Sequence, residues 1–275
     1  MTEANPRLLI LGAHPDDGEY HSGGLASIYR SLGHTVKIVS VTDGGAGHHE
    51  LSPEQLVPLR RDEARRAGEI IGAEYVTWDN PDGRLQPTLD VRDQIIREIR
   101  SFQPDVVLTH RPCDYHPDHR AVGQAVQDAS YMVTVPLICP EVPALRTDPL
   151  VMYMPDRFTR PNPMRGDLVV DVGQHVETIV RMMACHQSQF FGWLAYNHAY
   201  EDEMPADEEA RFDFLLRWYR DHLRPMADRY RDCLIETYGE VCGREVEFTE
   251  VYEVSEYAGA WNDEVKRRLF PLAGE

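Results

Sequence analysis

The sequence predicts an α/β protein with a doubly wound, mostly parallel sheet and helices on both faces of that sheet. Strand and helix patterns alternate through the first 130 residues, and short connections join them. This alternation is typical of parallel sheets, whose strands are joined by helical crossovers. Of the 275 residues, 42% are hydrophobic, which is enough for one large core. We therefore expect a single domain over residues 1–275.

The first strand–helix–strand unit follows from an apolar run and a glycine-rich helix start. Residues 7–13, Arg-Leu-Leu-Ile-Leu-Gly-Ala, predict a buried strand that stops at a sharp turn. A helix is predicted over 22–32, opened by Ser22-Gly23-Gly24. The second strand is predicted over 36–41, and a glycine-rich loop follows at 42–47.

The next two units repeat this pattern. A helix is predicted over 54–71, because apolar residues recur three and four apart until a glycine ends it. A short strand follows at 74–78, and a second helix is predicted over 89–102. A proline separates that helix from an apolar strand at 105–110. The last helix of this region is predicted from about 117 to 130.

The C-terminal half is less regular. Residues 131–166 carry seven prolines and little periodicity, so we expect an extended segment that walls one side of a site. A long helix is predicted from 209 to 237, with Pro225 expected to kink or break it. The remaining predicted elements are a strand at 167–172, a helix at 174–187 and a late strand at 245–254.

Composition disfavours several classes of function. The formal net charge of −18 opposes binding to nucleic acid or to an anionic membrane. The chain has no apolar run of the roughly 18 residues that a membrane-spanning helix needs. Residues 1–6 are polar and lack the basic and apolar regions of a signal peptide, so we expect a cytoplasmic protein. Five cysteines without a C-x-x-C pair indicate reduced thiols.

Two motifs rich in histidine and aspartate follow predicted strands. His14-Pro15-Asp16-Asp17 comes directly after the strand at 7–13, and His116-Pro117-Asp118-His119 follows the strand at 105–110. Ligands bind outside the carboxyl ends of the strands in sheets of this type. We therefore expect both motifs and the glycine-rich loop at 42–47 to meet at one edge, where they supply the parts of a mononuclear metal site.

His14, Asp17 and His119 are the predicted metal ligands. Two imidazoles and one carboxylate suit Zn²⁺ in a catalytic site, which leaves one position for water, and Fe²⁺ or Co²⁺ fits the same set. Asp16, beside a ligand, could take a proton from the attacking water as a general base. His116 could stabilise an oxyanion or protonate a leaving amine, as an imidazolium.

Other interpretations of these residues are open at this point. Asp16 and Asp17 could be helix caps, a common use of aspartate at a strand-to-helix turn. Cys113, His116 and His119 have the spacing of an alternative metal tripod, although that set leaves both aspartates unexplained.

The two motifs closely resemble the signature motifs of the PIG-L/LmbE-like zinc-dependent N-deacetylases. The resemblance covers about residues 7–190, and the region from about 200 to 275 is expected to be an extension of helices and a strand. Weaker similarities lie at Gly23-Gly24, Thr42-Asp43-Gly44, Arg60-x-x-Glu63, Asp82-Gly83 and His186-Gln187-Ser188-Gln189.

The resemblance implies a Rossmann-like fold and hydrolysis of an N-acetyl group, often on a glucosamine-type sugar. It implies that His14, Asp17 and His119 bind the zinc, that Asp16 is the general base and that His116 stabilises the oxyanion. It also implies that Arg60 and Asp82 contact substrate hydroxyls. His186 is expected to join a polar network that binds substrate. Each of these three has a second interpretation: a solvated helix face for Arg60, a plain turn for Asp82 and a core histidine for His186.

The chain departs from one subgroup of the family. Some thiol-pathway members have a tyrosine that helps to hold the oxyanion where this chain has Asp114, so that subgroup's substrate is not carried over.

We therefore predict an enzyme that removes an acetyl or other small acyl group from an amino sugar or a related polyol. The alternatives are an amidase of a larger sugar–thiol conjugate and a metal-binding sensor without turnover. Asp16 argues against the sensor, because a sensor needs no general base beside its metal. Aromatic residues that could shape the pocket are Tyr115, Phe190, Phe191 and Trp193.

The expected partner is a small N-acetylated molecule. The resemblance also implies a homotrimer or homohexamer. An aromatic stretch of the long predicted helix could supply an interface or could pack on the sheet; its residues are Phe212, Phe214, Trp218 and Tyr219.

Overall fold

A seven-stranded sheet forms the centre of the computed structural model, which describes residues 5–270. The strands are β1 (Arg7–Gly12), β2 (Thr35–Thr42), β3 (Glu74–Asn80), β4 (Val106–Thr109), β5 (Leu150–Tyr153), β6 (Leu168–Asp171) and β7 (Thr249–Val254). Their order is β3-β2-β1-β4-β5-β7-β6. Neighbours from β3 to β5 pair in parallel, whereas β7 runs antiparallel to both β5 and β6. The predicted mostly parallel sheet is confirmed.

Helices cover both faces of this sheet. They are α1 (Asp17–Ser31), α2 (Pro53–Ile71), α3 (Leu89–Phe102), α4 (Pro117–Ala129), α5 (Val176–Ala184), α6 (Leu194–Asn197), α7 (Glu208–Arg229), α8 (Arg231–Tyr238), α9 (Glu240–Glu245) and α10 (Asp263–Leu269). Leu8 and Ile10 of β1 belong to a core cluster with residues of α1, α5 and α7. Leu9 and Leu11 point to the other face, where α3 and α4 complete a second cluster.

The long aromatic helix packs on the sheet. Tyr219 is completely buried in the first cluster, and Phe212 and Trp218 pack against it. Packing on the sheet, one of the two alternatives, therefore accounts for these three residues; Phe214 lies beside Tyr200 instead. The single domain over 1–275 stays a prediction, and residues 1–4 of the polar start lie outside the described range. Between residues 5 and 270, no helix is both long enough and apolar enough to span a membrane.

Two expectations about helices were wrong. The helix predicted over 209–237 does not break at Pro225, since α7 runs through it to Arg229, and it divides instead at Tyr230, where α8 follows. The kink at Pro225 stays a prediction. Proline removes the hydrogen bond to the carbonyl of Asp221 and crowds that carbonyl, and Asp221 is an exposed residue. The first helix begins at Asp17 rather than at Ser22, where the backbone instead kinks to a non-helical φ of −143°.

The pair Gly23-Gly24 has a physical reason at this kink. A Cβ on Gly24 would lie 2.3 Å from Cγ1 of Val172, so only glycine allows this approach. The kink also leaves backbone donors without helical partners. Glu250 accepts hydrogen bonds from the N–H groups of Gly24 (2.6 Å) and Leu25 (2.8 Å), which ties α1 to β7.

Arg100 fixes the proline-rich segment to α3. Its side chain is buried, and its guanidinium donates to six carbonyl oxygens. These belong to Met132, Val133, Val135, Ile138, Cys139 and Val142. One cation thus organises a loop that has no regular ladder of its own.

Arg100→Met is expected to lower the free energy of unfolding by about 3 kcal/mol or more, because buried carbonyls lose their donors. For a chain of this size that corresponds to a fall in melting temperature of roughly 6–12 °C. Arg97→Met is the matched control: it lies on the same helix, but its side chain is 44% exposed and pairs with Glu141 at the surface. We expect the control to change stability by about 0.5 kcal/mol or less. Equal thermal shifts for both variants in calorimetry would contradict this role.

Candidate functional site

The two motifs meet at the carboxyl edge of the sheet, as predicted. His14 follows β1, and Asp17 is the first residue of α1. His116 caps α4 and His119 lies in its first turn, directly beyond β4. Because β1 and β4 are neighbouring parallel strands, their ends bring these side chains together.

One nitrogen from each of two histidines and both carboxylate oxygens of Asp17 lie at coordination spacing. Nδ1 of His14 is 3.3 Å from Nε2 of His119 and 3.4 Å from Oδ2 of Asp17. Nε2 of His119 is 3.4 Å from Oδ1 of Asp17. Ligands at about 2.0–2.2 Å from a tetrahedral metal lie roughly 3.3–3.6 Å apart, so one ion fits among the three side chains.

Neighbouring carboxylates orient both imidazoles. Nε2 of His14 lies 3.2 Å from Oδ1 of Asp82 and 3.3 Å from Oδ2 of Asp118. Nδ1 of His119 lies 3.2 Å from Oδ1 of Asp114. Contacts of this kind between carboxylates and the outer ring nitrogen orient metal-binding histidines.

The carboxylates also shift the pKa values of the cluster. Burial lowers the pKa of His14, but hydrogen bonds to Asp118, Asp17 and Asp82 more than offset it and hold the pKa well above its usual range. For Asp17, burial acts upward, but the charges of His119 and His110 hold its pKa well below its usual range.

The donor set fits a divalent cation. Five carboxylates with little solvent exposure surround the cluster and outnumber their basic partners. Within residues 5–270 these partners are the guanidinium of Arg60 and the imidazoles of His14, His110 and His119. The carboxylates are Asp16, Asp17, Asp82, Asp114 and Asp118. An excess of buried negative charge is costly unless a cation compensates it.

Among residues 5–270, three groups of three donors could hold an ion: His14 with His116 and His119, Asp17 with His110 and His119, and His14 with Asp82 and Asp118. The predicted ligands His14, Asp17 and His119 all belong to the first two groups, which share His119. Cys113 belongs to none of the three, so the alternative tripod has no geometric support.

Asp16 is held in a strained conformation beside the ligands. It occupies the N-cap position of α1 with a φ of 122°, a left-handed value that is rare outside glycine. Its side chain makes no capping bond; instead Nη2 of Arg60 donates to Oδ1 at 3.2 Å. Burial raises the pKa of Asp16 to about 7, although the charge of Arg60 opposes this rise. The hydroxyl of Tyr75 accepts a hydrogen bond from the Asp16 N–H at 3.0 Å.

His116 faces the same cluster with a defined tautomer. Its Nδ1 accepts a hydrogen bond from the N–H of Asp118 (3.2 Å), so Nε2 is the nitrogen that carries the proton. Its ring meets that of His14 edge-on, with 4.5 Å between centroids. Burial and the charge of His14 lower the pKa of His116. In this tautomer Nε2–H is the donor of the side chain, and the imidazolium role stays a prediction.

The three predicted substrate contacts have different positions. Arg60 and Asp82 line the cavity above the cluster. Arg60 is buried rather than solvated and donates to the carbonyl of Pro15 (2.7 Å) as well as to Asp16. His186 is completely buried, pairs with Glu19 and is not among the residues that line the cavity. The structure thus brings Arg60 and Asp82 to the site but not His186.

Sequence reasoning missed several supporting residues. His110 stacks on His119 with 3.9 Å between ring centroids, and its Nε2 lies 3.2 Å from Oδ2 of Asp17. His110 directly follows the apolar run of β4, in the same way that the first motif follows the run of β1. That position was the signal in the sequence that could have identified it as a site residue. Nothing in the sequence around Tyr75 indicates that its hydroxyl reaches Asp16, since that contact spans 59 positions.

The cavity above the cluster has a volume of about 630 Å³. Residues 155–158 of the proline-rich segment line one side, as predicted. Tyr115, Phe190 and Trp193 also line it, whereas Phe191 packs against the core instead. Residues of α7 and β7 complete the wall, so the C-terminal region contributes to the site.

These features define a class of protein: a mostly parallel α/β fold with a histidine–carboxylate centre at the carboxyl edge of its sheet. Residues 9–130 match the family model described as PIG-L: GlcNAc-PI de-N-acetylase, which confirms the resemblance seen in the two motifs. A diacetylchitobiose deacetylase from Thermococcus kodakarensis is 28% identical over 190 residues, which cover 67% of this chain and 70% of the relative.

Two further relatives bear on fold and function. A 4-oxalmesaconate hydratase from Pseudomonas putida is 26% identical over 137 residues, covering 47% of this chain and 53% of its own length. The solved structure of an N,N′-diacetylchitobiose deacetylase from Pyrococcus horikoshii superposes with a TM-score of 0.68 at 21% identity. That superposition covers 92% of this chain and 84% of the other. At this identity the superposition supports the fold alone.

Proposed function

We propose that this protein is a zinc-dependent hydrolase that removes an N-acetyl or other small acyl group from an amino sugar or a related polyol. The observation that carries the proposal is the close approach of His14, Asp17 and His119, with a separate carboxylate, Asp16, beside them. A site that only stored or sensed metal would not need that fourth group. The named activity of the Thermococcus kodakarensis relative supports the same reaction class.

His14, Asp17 and His119 would hold the metal. Zinc, when bound, supplies Lewis acidity and lowers the pKa of water towards about 7. Asp16 would take the proton of the attacking water. Because Arg60 holds Oδ1 of Asp16, we assign this proton to Oδ2.

His116 would donate from Nε2–H to the oxygen of the attacked carbonyl as negative charge develops there. The Asp118 N–H fixes this tautomer in advance, so no reorganisation is needed during the reaction. Arg60 and Asp82, on the cavity wall, would contact substrate hydroxyls. A trimeric or hexameric assembly and a cytoplasmic location stay predictions.

The test combines metal content with acetate release. Purified protein is analysed by elemental mass spectrometry and assayed on a panel of N-acetylated amino sugars, with and without a chelator. We expect about one zinc per chain and acetate release that the chelator abolishes. Bound zinc without acetate release would favour a conjugate amidase, a sensor, or water addition of the kind named for the Pseudomonas putida relative. No stoichiometric metal after reconstitution would contradict the ligand set.

Tyr75→Phe is expected to lower kcat by about 10- to 100-fold with little change in KM, because Asp16 loses the hydroxyl that holds its strained backbone. Tyr29→Phe is the matched control: its buried hydroxyl donates to the carbonyl of Leu269 (2.8 Å), far from the cavity. Both variants lose one buried hydrogen bond of about 1 kcal/mol. Steady-state kinetics and calorimetry compare them, and an unchanged kcat in Tyr75→Phe would refute this role.

A further inference from the structure

His21 lines the cavity but has no part in the reaction proposed above. It lies in α1 one helical turn after Asp17, so the two side chains share one face of that helix. Its ring meets those of His110 and His119 edge-on, with 5.5 Å and 6.4 Å between centroids. The ring is also part of the cavity wall above the cluster. His21 is therefore close to the place where the amide of a substrate would bind.

The geometry does not make His21 a metal ligand. In the part of the chain that the structure describes, it belongs to none of the three groups of donors that could hold an ion. Burial lowers the pKa of its ring, although the charge of Asp17 acts in the opposite direction. The ring is therefore a neutral imidazole, which has one N–H donor and one acceptor nitrogen.

One hydrogen bond defines which nitrogen of His21 is the acceptor. Its Nδ1 lies 2.9 Å from the carbonyl oxygen of Pro155. Because a carbonyl oxygen only accepts, Nδ1 carries the proton and Nε2 keeps its lone pair. Within residues 5–270, Nε2 makes no hydrogen bond to the protein. The ring thus holds the 155–158 segment through Nδ1 and offers an unpaired acceptor at the cavity wall.

The polar neighbours of His21 do not supply the missing donor. The hydroxyl of Tyr20 already donates to Nε2 of His222 at 2.7 Å. Burial lowers the pKa of His222 to about 3, so that ring is neutral and accepts this bond. Asp17 and Asp114, whose charges act on His21, are carboxylates and only accept. A donor for Nε2 must therefore come from a bound molecule.

We propose, on the basis of the N-acyl hydrolase assignment, that Nε2 of His21 accepts a hydrogen bond from the substrate. Two donors of an N-acetylated amino sugar have the required chemistry: the N–H of the amide that is cleaved, and a hydroxyl on a carbon next to the one that bears the nitrogen. A site that accepts such a bond discriminates against analogues without the donor, because the acceptor is then left unpaired. His21 is thus a substrate-binding residue that contributes to specificity.

Two substitutions separate the nitrogens of His21. In His21→Asn the side-chain amide can still donate to the carbonyl of Pro155 from the position of Nδ1, but nothing replaces Nε2. In His21→Gln the amide oxygen reaches the position of Nε2, and the bond to Pro155 is lost. On N-acetylglucosamine we expect kcat/KM to fall by about 5- to 100-fold in His21→Asn and to be at least about threefold higher in His21→Gln than in His21→Asn. The opposite order would show that His21 acts only through Pro155 and would overturn the proposal.

The matched control is His34→Asn, because His34 does not line the cavity. We expect this control to keep kcat/KM within about twofold of the wild type, as surface substitutions away from a site usually do. Zinc content and melting temperature are measured for all three variants, so that loss of metal or of the fold is separated from loss of the substrate contact. An equal fall of kcat/KM in His34→Asn and His21→Asn would contradict the proposal.

Substrate analogues identify the donor. The compared molecules are N-acetylglucosamine, its 1-deoxy and 3-deoxy analogues and its N-methyl amide, and an inhibition constant replaces kcat/KM for any analogue that is not turned over. On the analogue that lacks the bonded donor, His21→Asn should cost less than about twofold, because the contact is already absent, whereas the others should keep the full cost. An equal cost of His21→Asn on all four molecules would refute the proposal. Acetate release by the wild type would leave the proposed function intact in that case.

A binding measurement decides the role of His21 if the wild type turns over no substrate. Such a result would refute the hydrolase assignment separately. Calorimetry then compares the Kd of N-acetylglucosamine for the zinc-loaded wild type and for zinc-loaded His21→Asn. A Kd that is at least about fivefold higher in the variant would support the contact. Equal Kd values, or no binding to either protein, would overturn the inference.

Discussion

Asp16→Asn is expected to retain its zinc and to lose about 10²- to 10⁴-fold in kcat, the usual contribution of a positioned general base. The amide has the same shape as the carboxyl group, and its oxygen can still accept the hydrogen bond from Nη2 of Arg60. It cannot take a proton from water. The variant should therefore keep the fold and the metal while it loses the chemical step.

Metal analysis and acetate release on the same preparation test this expectation. Asp17→Asn provides the contrast, because it makes the same chemical change one position further on, at a predicted ligand. We expect Asp17→Asn to lose zinc and Asp16→Asn to keep it. A metal-free Asp16→Asn protein would show that Asp16 is a ligand, and an active one would remove it from the reaction.

The sequence predicted the site because its information is local. The first motif follows its apolar strand directly, the second follows β4 after a short connection, and parallel strands place their carboxyl ends at one edge. The sequence placed His14 and His119 at the same edge of the sheet, and the strand order, with β4 directly beside β1, brings them into contact. The same reasoning predicted the helices on both faces from short connections and amphipathic periodicity alone.

The features that could not be predicted from the sequence depend on long-range contacts. The strand β5 lies within the proline-rich segment, where four apolar residues gain their strand structure only by pairing with β4 and β7. Arg60 sits in a run of charged residues that reads as a solvated helix face, but its guanidinium is buried against Asp16, 44 positions earlier. His186 and Glu19 are separated by 167 positions. Their pairing, which takes His186 away from the cavity, could not be inferred from the neighbours of either residue.

His119→Ala tests the ligand set most directly. Replacing a residue that only hydrogen-bonds to a metal ligand lowers metal affinity by about 10- to 100-fold. Loss of the ligand itself should therefore lower zinc affinity by more than about 100-fold. It should also remove the imidazole partner of Asp114 and one of the three imidazoles that contact Asp17. We expect no stoichiometric zinc and no acetate release from this variant.

A thermal titration with zinc gives a second readout that does not depend on activity. A ligand at 100 times its Kd stabilises the folded state by about 2.7 kcal/mol, so zinc should raise the melting temperature of the wild type but not that of His119→Ala. His116→Ala is the matched control: it removes an imidazole from the same helix start, yet it should keep the zinc-dependent stabilisation and lose turnover. Full zinc occupancy in His119→Ala would remove it from the ligand set. In that case the group Asp17, His110 and His119 could not hold the ion either, and the remaining donors would be those around His14.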